Sequence, residues 1–208
     1  METQVREVRG DDRRRPEQAR EIRLVHAHER DAPLADGGRL AAVLLQFPYS
    51  FAYTPESRGR LASLAEGLAG LPLAVEFRNA TWANDKVFAE LEERRVTLVT
   101  VDEPELPGLF PALDVVTNPE LFYVRFHGRN ASGWRSGKMT AQFDYDYSDD
   151  ELAAWIDGKL RGLLGRGRAG AMFFNNHVRG QAPRNAKRLV ELLRQAGLPA
   201  SDPSPQLF

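Results

Sequence analysis

The stretch from Phe122 to Asn130, FYVRFHGRN, alternates apolar and polar residues and then breaks into arginine, histidine, glycine, arginine and asparagine. Successive side chains of an extended strand point to opposite faces. Phe122, Val124 and Phe126 therefore share one face, and Tyr123, Arg125 and His127 share the other. The first face is wholly apolar and suits a layer of helices. The second carries charge, and because burying an unpaired cation costs several kcal/mol, roughly, these groups must find partners or emerge into a cleft. A strand with helices on one side and a polar mouth on the other is what a barrel requires.

The flanking sequence repeats this theme. AAVLLQF (Ala41 to Phe47), LAVEF (Leu73 to Phe77), VTLVTV (Val96 to Val101) and AGAMFFNN (Ala169 to Asn176) are short apolar runs of the kind found in strands covered on both faces. Between them lie helical patterns: Pro55 to Gly70 with leucines at 61, 64, 68 and 71, Asn84 to Arg95 with Asn84 as N-cap, Asp149 to Leu164, and Pro183 to Ala196. The proline-rich passage from Pro104 to Pro119 reads as a loop. Short strands alternating with longer helices predict an α/β fold with a parallel sheet. No strand is followed by the glycine-rich turn of a dinucleotide-binding fold. The expectation is an incomplete TIM-type (β/α) barrel of about five βα units out of eight, spanning residues 39–197. Residues 1–38 are expected to be poorly ordered or partly helical, with a short helix from Pro16 to Leu24, and residues 198–208 to form a flexible tail.

Polar residues collect where the five strands run out: Gln46; Glu76 and Arg78; Asp102 and Glu103; Arg125, His127, Arg129 and Asn130; Asn175, Asn176 and His177. In a barrel such ends form the functional face. From these, Glu76, Asp102 and His127 are the candidate proton-transfer residues. Gln46, Arg78, Arg125, Arg129, Asn130, Trp134, Asn175 and Asn176 are candidate ligand contacts. Bland alternatives exist for each. Arg125 with Glu76 or Asp102 is also a common structural pair, His127 taken singly reads as a core histidine, and the amides suit helix caps or loop backbone. The long loop HGRNASGWRSGKMTAQFDYDYS (127–148) reads as a wall or lid; Trp134, Tyr145 and Tyr147 in it either stack on a ligand or pack the loop down.

Composition narrows the field. With 28 basic and 29 acidic residues the net charge is −1, so nothing draws the whole chain to nucleic acid or to an anionic membrane. The absence of cysteine removes disulfides, zinc–thiolate sites and thiol nucleophiles. His127, Glu76 and Asp102 are acceptable ligand types for a divalent ion, but no short-spaced motif accompanies them, and the cofactor stays unknown. His26 and His28 make no stronger case. The longest apolar run, Leu40 to Leu45, is far below the roughly 20 residues of a membrane span, and the expected location is cytoplasmic. The expected partner is a small polar ligand. Nucleic acid is the weaker alternative, resting on the basic arm Arg13, Arg14, Arg15, Arg20 and Arg23.

In order and spacing, LLQFPYSF, VEFRNATW, VTVDEP, FYVRFHGRN, FDYDYS and FFNNHVRGQAPRNA resemble the YecE-like family of uncharacterised proteins, over about Arg39 to Leu193. The resemblance implies a TIM barrel with a suggested relation to sugar isomerases, and no established activity. It also implies earlier strands carrying further polar motifs, which are not found before Leu40. An N-terminally shortened member, with exposed sheet edges and loss of full function, is the corresponding expectation.

Overall fold

The computed structural model describes residues 4–8 and 40–201. Its sheet is wholly parallel, and its six strands are ordered as they occur in the chain, β1-β2-β3-β4-β5-β6. They are β1 (Gln4–Val8), β2 (Leu40–Gln46), β3 (Leu73–Glu76), β4 (Thr97–Asp102), β5 (Phe122–Phe126) and β6 (Gly170–Phe174). Sequential parallel neighbours make the curled sheet of a partial barrel. Five strands are those read from the sequence. The additional one, β1, falls in the segment expected to lack regular structure: Gln-Val-Arg-Glu-Val has only two apolar positions, and its pairing with β2 comes from tertiary context. The expected Pro16–Leu24 helix, the basic arm, His26 and His28 lie outside the described residues.

Local chemistry places the helices. Helix α1 (Pro55–Gly67) opens with Thr54 accepting from Ser57 N at 3.2 Å and with proline at its first position. Helix α2 (Asp85–Glu93) is capped by Asn84, which accepts from Val87 N at 3.2 Å. Two short turns of helix, α3 (Ala131–Trp134) and α4 (Met139–Gln142), interrupt the long loop after β5. Helix α5 (Asp149–Trp155) starts with a reciprocal Ser148–Glu151 capping box, widens into a π turn at Ile156–Leu160 and continues as α6 (Arg161–Arg166). Helix α7 (Gln181–Gln195) closes the order. After it, Gly197 at φ 70° turns the chain so that Leu198 N donates to Leu193 O at 2.9 Å, and Leu198 and Ala200 pack on the core. The start of the expected flexible tail is thus anchored, while 202–208 lie outside the described residues.

No helix links β4 to β5. The proline-rich connection is held instead by Thr117, which donates to Val96 O (2.6 Å) and accepts from Leu98 N (2.8 Å), and by buried Phe110. Every residue of β3, β4 and β5 is buried. Phe122, Val124 and Phe126 pack among Leu152, Trp155, Leu160 and Leu189 of the helix layer, as their alternation requires. Register then sets the inner face: Gln46 sits beside Glu76, Val101 beside Arg125, and Arg125 beside Phe173. Among the described residues no strand pairs with the far edge of β6, and Phe173 there is 38% exposed.

Candidate functional site

Two polar clusters stand at the C-terminal end of the sheet, one on each face. The inner one is centred on Glu76, which is 0% exposed. Its Oε2 accepts from Arg125 Nη1 at 2.6 Å, and the same nitrogen donates to Gln46 Oε1 at 2.7 Å. Its Oε1 lies 2.7 Å from Arg78 Nε and 3.2 Å from His127 Nε2, both outside hydrogen-bonding alignment, so these are close electrostatic contacts. Arg78 extends the cluster: Nη1 donates to Glu103 Oε2 at 2.7 Å, and Nη2 lies 3.3 Å from His127 Nδ1. Since Arg78 can only donate, Nδ1 is the acceptor and Nε2 carries the imidazole proton. Trp134 covers the group, with Arg78 5.6 Å from its ring centroid, and Phe143 stands 6.1 Å from the His127 ring.

Burial and charge act against each other here. Burial disfavours the Glu76 carboxylate, but Arg78, His127 and Arg125 outweigh it and hold its pKa well below the usual range. For His127, burial and then the Arg78 charge lower the pKa to about 4, against the opposing pull of Glu76, so the ring is neutral at neutral pH. Burial raises Glu103 to about 7; Arg78 opposes the rise, and the charges of Glu76 and Asp102 add to it. Glu103 Oε1 has no hydrogen-bond partner among the described residues.

The outer cluster is centred on Asp102. The Val101–Arg125 register puts Asp102 opposite Phe126, on the helix side. Arg129 clamps its carboxylate through Nε (3.0 and 3.1 Å) and Nη2 (2.9 Å), Trp155 Nε1 donates at 2.8 Å, and Tyr147 Oη donates at 2.5 Å. Tyr147 Oη also accepts from Gly128 N at 2.9 Å. Burial, then the adjacent Asp102 charge and hydrogen bond, push the Tyr147 phenol well above its ordinary pKa. Gly128 is needed at this turn: its φ is 86°, and a Cβ there would stand 2.6 Å from Tyr145.

The structure thus divides the predicted set. It brings together Gln46, Glu76, Arg78, Arg125, His127 and Trp134. Asp102 and Arg129 are apart from them because strand alternation sends Asp102 outward and Arg129 follows it. Asn130 caps α3, accepting from Gly133 N at 3.0 Å and donating to Ala141 O at 2.8 Å. Asn176 is fully buried on the helix side, donating to Asn185 Oδ1 at 2.6 Å and Tyr145 O at 2.8 Å. Asn175, on the same face as Phe173 by alternation, extends the ladder with its N–H on Phe126 O at 2.7 Å. Tyr145 and Tyr147 pack the loop through Glu151 and Asp102. Glu103, named in the sequence among the polar strand ends but not among the candidates, and Phe143, not named there, join the inner group; alternation along VTLVTVDE marks Glu103 as inward with Val99 and Val101. Among the described residues no group of three or more His, Asp or Glu stands ready for a metal ion, and the partners of Glu76 are two arginines and the His127 ring.

A cavity of about 690 Å³ lies beside the connection that follows β4, bordered by Asp102, Glu103, Phe110, Arg129, Trp155 and Lys159.

The sequence matches the family described as "Protein of unknown function DUF72" over residues 6–207. It is 30% identical over 171 residues to the UPF0759 protein YunF of Bacillus subtilis (strain 168), covering 77% of this chain and 60% of that protein. The chain therefore spans about 60% of the length of this curated relative. It is similar to the crystal structure of a DUF72 family protein from Enterococcus faecalis V583 (TM-score 0.78, 30% identity, 89% of this chain and 69% of that one). It is also similar to one from Thermotoga maritima MSB8 (TM-score 0.75, 33% identity, 84% and 64%). No helix among the described residues is long and apolar enough to cross a membrane.

Proposed function

This chain belongs to the DUF72 family of proteins of unknown function, and we propose that its inner strand ends form an enzyme-type site that moves a proton on a small polar metabolite, a sugar or a phosphorylated compound. One observation carries the reading. Glu76, Arg78, Arg125 and His127 are desolvated together at the C-terminal ends of neighbouring parallel strands. A well-packed apolar core would hold the sheet at least as well as such a cluster, so stability alone is a weak reason for it. Strand ends of this kind are where barrels place their chemistry.

Glu76 is the fixed anion, with both oxygens engaged, and it orients Arg78, Arg125 and His127. His127, neutral and contacted at both ring nitrogens, fixes the tautomer and the field of the site. Trp134 and Phe143 form the wall that excludes water, and opening of the 131–147 loop admits the ligand. Displacing a carboxylate from Arg78 or Gln46 from Arg125 would expose donors for hydroxyl, carbonyl or phosphoryl oxygens.

A panel of sugars and sugar phosphates read by thermal shift tests this function. At least one compound is expected to raise the Tm of the wild-type chain, and His127→Gln, still cooperatively folded, is expected to lose that response. If His127→Gln melts at a lower temperature and keeps the response, His127 serves stability alone and the reading falls.

A further inference from the structure

We propose that Glu103 is the proton-exchanging residue of this site, the group that gives a proton to the bound ligand and takes it back. The proposal rests on the reading of the cleft above and assigns its acid–base step. Elimination comes first. Glu76 is ion-paired at both oxygens. His127 is contacted at both nitrogens, by Arg78 and by Glu76. Asp102 accepts from three side chains on the opposite face.

Glu103 differs from these in having Arg78 as its one ion-pair partner among the described residues. One oxygen, Oε2, is held by Arg78 Nη1 at 2.7 Å, which fixes the carboxyl in place. The other, Oε1, is buried and has no hydrogen-bond partner among the described residues. A buried carboxyl oxygen in that position is best satisfied by carrying a proton or by meeting a ligand. Glu103 is only 7% exposed and its Oε1 is buried; the residue ends β4 where the inner cluster meets the cavity of about 690 Å³ that Asp102, Arg129 and Trp155 also border. The charged groups set around it are Arg78 and Glu76 from β3 and Asp102 beside it on β4, with Arg125 and His127 of β5 beyond Arg78. Burial and the two carboxylates favour its neutral form and Arg78 favours the anion, a balance that suits a group working near neutral pH.

In the forward step the Oε1–H bond breaks and the proton passes to an oxygen or carbon of the ligand. The carboxylate left behind keeps its contact with Arg78 Nη1. In the reverse step the same oxygen recovers a proton from the ligand or from water. No other reactant is required.

The test is a carbon-13 NMR titration of side-chain carboxyls on the full chain. One glutamate carboxyl is expected to titrate between about pH 6 and 8, well above the ordinary range. Its signal should vanish in Glu103→Gln, persist in Glu105→Gln, and be replaced by a titrating aspartate signal in Glu103→Asp. No such glutamate, or a signal that survives Glu103→Gln, overturns the proposal. With a compound from the panel above, Glu103→Gln should keep the ligand-induced thermal shift and lose roughly 100-fold or more in conversion; unchanged conversion overturns it too. If no panel compound stabilises the wild-type chain, the reading of the cleft fails, while the titration still decides Glu103.

Discussion

Asp102 and Glu103 are consecutive residues at the end of one strand, and the fold sends their carboxylates to opposite faces and opposite conditions. Asp102 lies against the helices, where Arg129, Tyr147 and Trp155 meet both its oxygens. Glu103 lies on the barrel side with Oε2 on Arg78 and Oε1 without a hydrogen bond. A carboxylate with every acceptor direction used ties elements together; one left half-used can change its protonation state or its partner. The outer cluster joins β4 to α5 and to the loop after β5, while the inner one holds Arg78 and Arg125 through Glu76, Glu103 and Gln46. Two carboxylates one residue apart are therefore held in different ways.

The sharpest way to break this contrast is Asp102→Asn. The amide would point an N–H at groups that can only donate or that already do, leaving Arg129 with only the more distant Glu151 carboxylate, at 3.5 Å, as counter-charge. Unfolding in urea should show a loss of about 3–5 kcal/mol, the range for removing one partner of a buried ion pair. A loss below about 1 kcal/mol would mean that the outer cluster does not tie the layers as argued.

The next effect is in pH dependence, compared between wild type and Glu103→Gln. A folded pKa of about 7 against an ordinary 4.5 means that the folded chain holds a proton the unfolded chain has lost. This term is fully present below the ordinary value and disappears as pH rises through about 7. Wild type should thus lose on the order of 2–3 kcal/mol relative to Glu103→Gln between about pH 4.5 and 7. His127 runs the other way: its folded pKa of about 4 lies below its ordinary 6.5, so its contribution is present above 6.5 and lost as pH falls toward 4. Comparing the two chains cancels that term, since both contain His127. Parallel stability–pH curves would contradict the raised Glu103 pKa.

How the two clusters were legible in the sequence follows from the same alternation. The five strands β2 to β6 and the partial barrel could be read because VLLQF, LAVEF, VTLVTV, FYVRF and MFF are short, mainly apolar runs of the kind a doubly covered sheet accommodates. Glu76, Arg78, Arg125 and His127 could be placed together because period two was followed along β3 and β5. Asp102 was grouped with them by its position at a strand end alone, and the Val101–Arg125 register, which no single strand displays, puts it on the other face. Asn130 and Asn176 stayed open between two readings for a different reason: an amide that caps a turn and an amide that contacts a ligand are the same letter, and the partners seen here are Gly133 N and Ala141 O for the first and Asn185 and Tyr145 O for the second. Strand β1 was not legible because two valines among charged residues carry no periodic signal, and partner-strand pairing supplies what composition lacks.

The smallest effect tests whether the outer cluster behaves as one unit. Tyr147→Phe removes a single hydroxyl that donates to Asp102 and accepts from Gly128 N. Two contacts are lost, but Asp102 keeps Arg129 and Trp155, so its charge stays compensated. The expected loss is about 1–2 kcal/mol, set mainly by the buried Gly128 N–H left without an acceptor. If the cluster is cooperative, adding Tyr147→Phe to Asp102→Asn should cost less than the sum of the two separate losses, because the hydroxyl has less to hold once the carboxylate is gone. Strict additivity in that double-mutant cycle would show that Tyr147 serves the loop through Gly128 alone. The inner cluster provides the control: Tyr147→Phe should leave the Glu103 titration unmoved, since the phenol's hydrogen bonds go to Asp102 and Gly128 and none reaches the inner cluster.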